Sequence, residues 1–281
     1  YLPQKLIIPG DITRLTPDDG LSQATVTSVF QDSRGLIWIG TADGLNCYDG
    51  YSFRVFRHNG RDSASVSDNY IFAITEDTKG NLWVGTQIGL NKLDRLSGRF
   101  TRYKHNPADS SSLAFNRITG IYASSPDSIW ANTTGYLNLL FPSTGKVSRF
   151  YPGISTWIYR IADDGNGSIW MATGAGLMRF IKSSKTFSVS HQPKPGTAVR
   201  DITIKNGVVH YVALDGTAGS ISITGQTHTA YRLTGSKSNP APECIYADES
   251  TVFCGTADGK IYSLRRGNAE TGLVYTGAAP G

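Results

Sequence analysis

Four tryptophans recur at nearly constant spacing: Trp38, Trp83, Trp130 and Trp170 lie 45, 47 and 40 residues apart. Around each stands similar text. The copies read VTSVFQDSRGLIWIGTADGLNCYD from Val26, IFAITEDTKGNLWVGTQIGLNKLD from Ile71, ITGIYASSPDSIWANTTGYLNLL from Ile118 and IYRIADDGNGSIWMATGAGLMRF from Ile158. Two looser copies follow, VRDITIKNGVVHYVALDG from Val199 and CIYADESTVFCGTADGKIYSL from Cys244. A period of this size means one supersecondary unit per copy, each burying its apolar face against its neighbours.

Each part of the unit has a physical reason. The Val/Ile-rich opening suits an inner strand buried on both faces. Asp32 to Gly35, Asp77 to Gly80 and Asp164 to Gly167 are Asp-x-x-Gly turns, and Asn206-Gly207 is a two-residue version of the same hairpin. The Trp then falls in a second strand, where a large flat ring fills the space between adjacent sheets. Gly44, Gly89, Gly135, Gly176, Gly216 and Gly259 mark the turn into a third strand, and a more polar fourth follows, as in SFRVFRH from Ser52. With 31 Gly and only 2 Met, composition also favours short strands over long helices.

The expected fold is all-β, a β-propeller of four-stranded antiparallel blades. Six repeats are legible, starting near residues 26, 71, 118, 158, 199 and 244, in a single domain over residues 1–281. Whether the ring has six or seven blades is left open by the text. Residues 1–25 include a spare strand, Asp11 to Thr16, expected to complete the last blade.

Several chemistries lack their residues. The net charge is +5, but Lys and Arg are scattered singly apart from Arg265-Arg266, so nucleic acid is not expected as a partner. No stretch approaches the length of a membrane span, and no secretion signal is visible. Cys47, Cys244 and Cys254 make no metal spacing. They read as buried free thiols, with Cys244 and Cys254 as an alternative disulfide across a hairpin. No nucleophile elbow, phosphate loop or His-Glu-x-x-His motif occurs, and His58, His105, His191, His210 and His228 are dispersed. No catalytic residue, metal or cofactor is expected.

The segment from Leu21 to Phe56, LSQATVTSVFQDSRGLIWIGTADGLNCYDGYSFRVF, resembles the two-component regulator propeller repeats. The resemblance is close over repeats one to four and loose over five and six. It implies the periplasmic sensor region of a hybrid two-component histidine kinase that detects polysaccharide breakdown products and regulates glycan utilisation. The partners it implies are an oligosaccharide ligand and the remaining domains of a membrane-bound, homodimeric kinase, with this chain an N-terminal piece or a stand-alone relative. Repeat three departs from the pattern at Asn132, where Gly is usual, and repeat five replaces Trp by His210 or Tyr211.

Ligands of propellers sit over the axis, where the loops entering each inner strand meet those joining the second and third strands. This nominates Asn69, Tyr70, Asn116, Arg117, Thr156, Trp157 and Arg200 among entering residues, with Asp43, Gln87, Thr134 and Asp258 opposite them. Trp157 is the one tryptophan outside the repeat position. The candidate ligand site is therefore Trp157, Tyr70, Asn69, Arg117, Arg160 and Arg200, an aromatic and cationic set suited to a sugar. Alternatives are a lyase, since streptogramin lyases also use Asp-x-x-Gly-x-Ile-Trp blades, and a protein-interaction scaffold.

Overall fold

The computed structural model of the chain describes residues 14–225, 227–233, 242–265 and 270–276. It is a six-bladed β-propeller, each blade an antiparallel up-and-down sheet. The first blade comprises β1 to β4 (Val26–Gln31, Ile37–Thr41, Gly44–Tyr48, Phe53–Phe56), and the second β5 to β8 (Ile71–Glu76, Leu82–Thr86, Gly89–Asp94, Arg99–Tyr103). The third has β9 to β12 (Gly120–Ser125, Ser128–Thr133, Tyr136–Phe141, Lys146–Phe150) and the fourth β13 to β16 (Ile158–Asp163, Ser168–Thr173, Gly176–Ile181, Thr186–His191). The fifth has β17 to β20 (Val199–Lys205, Val208–Ala213, Ala218–Ser222, His228–Leu233) and the sixth β21 to β24 (Pro242–Ala247, Thr251–Thr256, Lys260–Arg265, Glu270–Thr276). The outer strands β20 and β24 also meet in a short parallel pairing. Residues 11–13 of the spare strand expected over Asp11 to Thr16 lie outside the described residues, and 14–16 have no regular structure.

Tryptophan fills the seams between blades. Trp38 packs with Ile71 and Ile74 of the second blade, Trp83 with Ile118 and Ile129 of the third, Trp130 with Ile161 of the fourth and Trp170 with Ile202 of the fifth. The turn aspartates fix the rings in place. Asp32, Asp77 and Asp164 accept the indole N–H at 2.8, 2.9 and 3.1 Å while also bonding the backbone of their own turns. β1 is less covered than its counterparts: Val29 is 64% exposed, whereas Ile74 is 8% exposed.

Gly40 and Gly85, two residues after Trp38 and Trp83, leave room for the next blade. A Cβ on Gly85 would lie 2.7 Å from Cγ2 of Ile118 and 2.9 Å from its carbonyl oxygen. Gly85→Ala is therefore expected to cost about 1–3 kcal/mol through overpacking, read as a lower urea midpoint. The third blade solves the same contact in reverse. Asn132 occupies this position, fully buried, and its amide donates to the Ile158 carbonyl at 2.7 Å and to Thr119 at 2.5 Å. Its cross-strand partner is Gly120, where a Cβ would meet Asn132 Oδ1 at 2.3 Å, so side chain and space have exchanged strands. Strand register places His210 of the fifth blade, opposite Thr203, in the slot that Trp38 occupies opposite Phe30.

The cysteines are free thiols. The alternative disulfide fails on register: Cys244 pairs with Gly255 and Cys254 with Ile245, so the two side chains leave opposite faces of the sheet. Cys254 is buried, as expected; Cys47 is only partly covered and Cys244 is exposed.

Candidate functional site

Entering loops and second-to-third-strand turns share one end of the propeller, and backbone bonds tie them together. Ala42 N–H donates to Thr25, Gln87 to Tyr70, Gly174 to Trp157 and Leu214 to Ala198, each through the carbonyl of the entering residue. A buried polar brace holds these loops. In the second blade the Asn91 side chain accepts from Ser67 N–H at 2.9 Å and donates to Ser67 Oγ at 2.9 Å, and Ser67 Oγ lies 2.8 Å from Thr86 Oγ1. Ser22, Asn46 and Thr41 repeat the arrangement in the first blade.

Immediately after entry, five inner strands carry a bulge between their first and third residues. A bulge re-aims a side chain out of the ladder. Two tiers of residues result. One precedes the first apolar residue of each inner strand (Thr25, Tyr70, Arg117, Trp157, Ala198) and one follows it (Thr27, Phe72, Thr119, Tyr159, Arg200, Glu243).

The tiers contain a stack running across blades two to four. Tyr70 and Phe72 have ring centroids 4.5 Å apart. The Arg117 guanidinium lies 4.6 Å from the Phe72 ring centre and 5.5 Å from that of Trp157. Trp157 is 48% exposed and Tyr70 37%, so one face of the stack meets solvent. Arg117 Nε is buried and has no hydrogen-bond partner among the described residues. Across blades four to six, Arg200 lies 5.5 Å from the Tyr159 ring and pairs with Glu243 at 3.3 Å.

The nominated residues thus divide. Tyr70, Arg117 and Trp157 come together, and Arg200 belongs to the adjoining half. Asn69 is spent on its loop, accepting from His58 N–H at 2.7 Å and donating to Asp43 at 3.2 Å. Arg160 is held by buried Asp201 at 2.9 Å, and Asp201 also accepts from Ile245 N–H. The Asp201 charge pushes the Arg160 pKa up. Phe72, Tyr159 and Glu243 were missed; their signal is their place one residue after the first apolar residue of an inner strand.

The histidines lie elsewhere. His58 and His105 bond the carbonyls of Val66 and Leu113 within loops. His191 and His228 both bond the Tyr211 hydroxyl, at 3.0 and 2.7 Å, with ring centroids 4.3 Å apart. Burial and then the neighbouring His228 push the His191 pKa down. The folded state therefore favours neutral His191. Stability is expected to be full above pH about 6.5, where the unfolded imidazole titrates, and to fall as pH drops towards the lower folded value. Thermal melts at pH 7.5 and 5 check this, and a His191→Gln chain should lose part of the difference.

Among the described residues no group of three or more His, Cys, Asp and Glu is arranged to hold a metal, and no helix is long and apolar enough to cross a membrane. Residues 20–43 and 65–87 match the two component regulator propeller family. A histidine kinase of Formosa agariphila is 52% identical over 52 residues, 18% of this chain and 4% of that protein. Among solved structures, the extracellular domain of a putative hybrid two component system from B. thetaiotaomicron superposes with a TM-score of 0.74 at 24% identity. That match covers 90% of this chain and 35% of the other, so the chain spans about a third of that domain. Virginiamycin B lyase from Staphylococcus aureus superposes at 0.73 and 18% identity, covering 90% of this chain and 84% of the lyase. At these identities the superpositions establish the fold.

Proposed function

We propose that this propeller, whose first two blades carry two-component regulator propeller repeats, is a non-catalytic ligand-binding module in the extracytoplasmic region of a hybrid two-component sensor. Its ligand is an oligosaccharide derived from polysaccharide, and its partners are the remaining domains of a membrane-bound, dimeric histidine kinase. The observation that carries the reading is the solvent-facing stack of Tyr70, Phe72, Arg117 and Trp157. Aromatic faces suit the apolar face of a sugar ring, and the guanidinium held between the rings supplies charged N–H donors for hydroxyl or carboxylate oxygens. The extracellular hybrid two-component relative and the kinase match support the setting.

Trp157 offers a direct test, because Trp38, Trp83, Trp130 and Trp170 are each 5% exposed or less. Titration with polysaccharide-derived oligosaccharides is expected to shift the tryptophan emission saturably, and Trp157→Phe is expected to remove the shift. A shift that persists in Trp157→Phe places the ligand elsewhere.

A further inference from the structure

The opposite end of the propeller carries a second candidate site. Strand ends alternate, so the turns joining first to second and third to fourth strands gather away from the aromatic tiers. Between blades one and two these turns enclose a cleft of about 460 Å³ lined by Arg34, Lys79, Lys92, Arg95 and Asp94, with Thr101 at its edge. A second hollow of about 100 Å³ shares Arg34 and Arg95 and adds Arg54.

Arg95 is the floor of both. Its side chain is 8% exposed, with Nη1 on Asp32 at 2.7 Å and Nη2 on Glu76 at 2.9 Å, yet its Nε is buried with no hydrogen-bond partner among the described residues. The cations above it form no ion pair: Arg34, Arg54, Lys79 and Lys92 have no carboxylate within ion-pair distance among the described residues, while Arg54 lies over the Phe56 ring at 4.6 Å and Lys92 over the Trp83 ring at 5.8 Å. Asp94, the carboxylate in the lining, turns one oxygen to the backbone N–H groups of Leu96 and Ser97 at 2.9 and 3.2 Å.

We propose that this cleft binds an oxyanion group, a sulfate, phosphate or carboxylate carried on a small ligand, with Arg34, Lys79 and Lys92 as its charged donors. Converging cations at the mouth of a shallow cleft attract such a group by charge and by charge-assisted hydrogen bonds. Because Arg34 and Lys79 are exposed, salt screens the attraction, and affinity falls as ionic strength rises.

The test is titration of the full chain at low ionic strength with sodium sulfate, sodium phosphate and D-glucuronate, with glucose as the neutral control. At least one oxyanion is expected to bind saturably and glucose not at all. The double variant Lys79→Ala, Lys92→Ala is expected to weaken binding at least about tenfold while keeping the wild-type melting temperature within a few degrees, and Trp157→Ala should leave it unchanged. Binding of sulfate and phosphate without glucuronate assigns a tetrahedral oxyanion, and binding of all three a general oxyanion site. Absence of saturable binding by all three, or equal affinity in the double variant, overturns the proposal and leaves the Trp157 site untouched.

Discussion

Trp83→Ala is expected to lower the unfolding free energy by about 3–5 kcal/mol, a large part of the stability of an ordinary domain. The ring is fully buried against Leu113, Ile118 and Ile129 of the next blade, and its indole N–H satisfies buried Asp77. Truncation opens a cavity in a seam that the wedge shape of two sheets cannot close, and it takes a donor from a carboxylate already short of water. Trp157→Ala, by contrast, is expected to cost under about 1 kcal/mol, since half of that side chain is in solvent. Urea midpoints of the two variants separate the tryptophan that builds the fold from the one available to a ligand. Equal losses contradict that division.

Asp32→Ala is expected to cost a similar amount, about 3–5 kcal/mol, for an electrostatic reason. The Asp32 carboxylate receives the Trp38 indole N–H at 2.8 Å, the backbone N–H groups of Arg34 and Leu36, and Arg95 at 2.7 Å. Removing it leaves the almost fully buried Arg95 guanidinium with Glu76 as its one remaining carboxylate partner among the described residues, and leaves the Trp38 indole N–H without its acceptor. Burial alone would raise the Asp32 pKa, but the indole, the two backbone donors and Arg95 together hold it below the usual carboxylate range. The stabilisation is therefore present above about pH 4 and is lost as pH falls through the lower folded value. An acid titration of stability that is steep in wild type and shallower in Asp32→Ala is the expected result, and parallel curves contradict it.

Much of the fold is legible in the text because a propeller repeats its physics. The Trp recurs at one place in four blades, the Asp-x-x-Gly turn in three and the turn glycine in all six, where Gly44, Gly89, Gly135, Gly176, Gly216 and Gly259 have positive φ. What stayed hidden depends on relations between copies. The Asn46 and Asn91 braces lie in plain view as Gly-Leu-Asn, yet a polar residue in a strand reads as solvent-facing until its serine partner, 24 residues earlier, is placed beside it. Whether His210 or Tyr211 replaces the Trp turns on a one-residue change of hairpin length that only the pairing resolves. The exchange of Asn132 with Gly120 reads as a departure in one strand and becomes a compensation once both strands are seen. Phe72, Tyr159 and Glu243 escaped because a bulge breaks the period-two reading at the point where the site begins.

The central claim is that a ligand rests on the arginine-spaced aromatic stack over blades two to four. Calorimetric titration of wild type and Arg117→Ala with a panel of polysaccharide-derived oligosaccharides tests it most directly. The account predicts that at least one wild-type isotherm saturates and that Arg117→Ala weakens it by about tenfold or more, the loss of one good charge-assisted contact. Equal affinity in the two proteins, or binding by a longer sensor chain with none by this propeller, would contradict it.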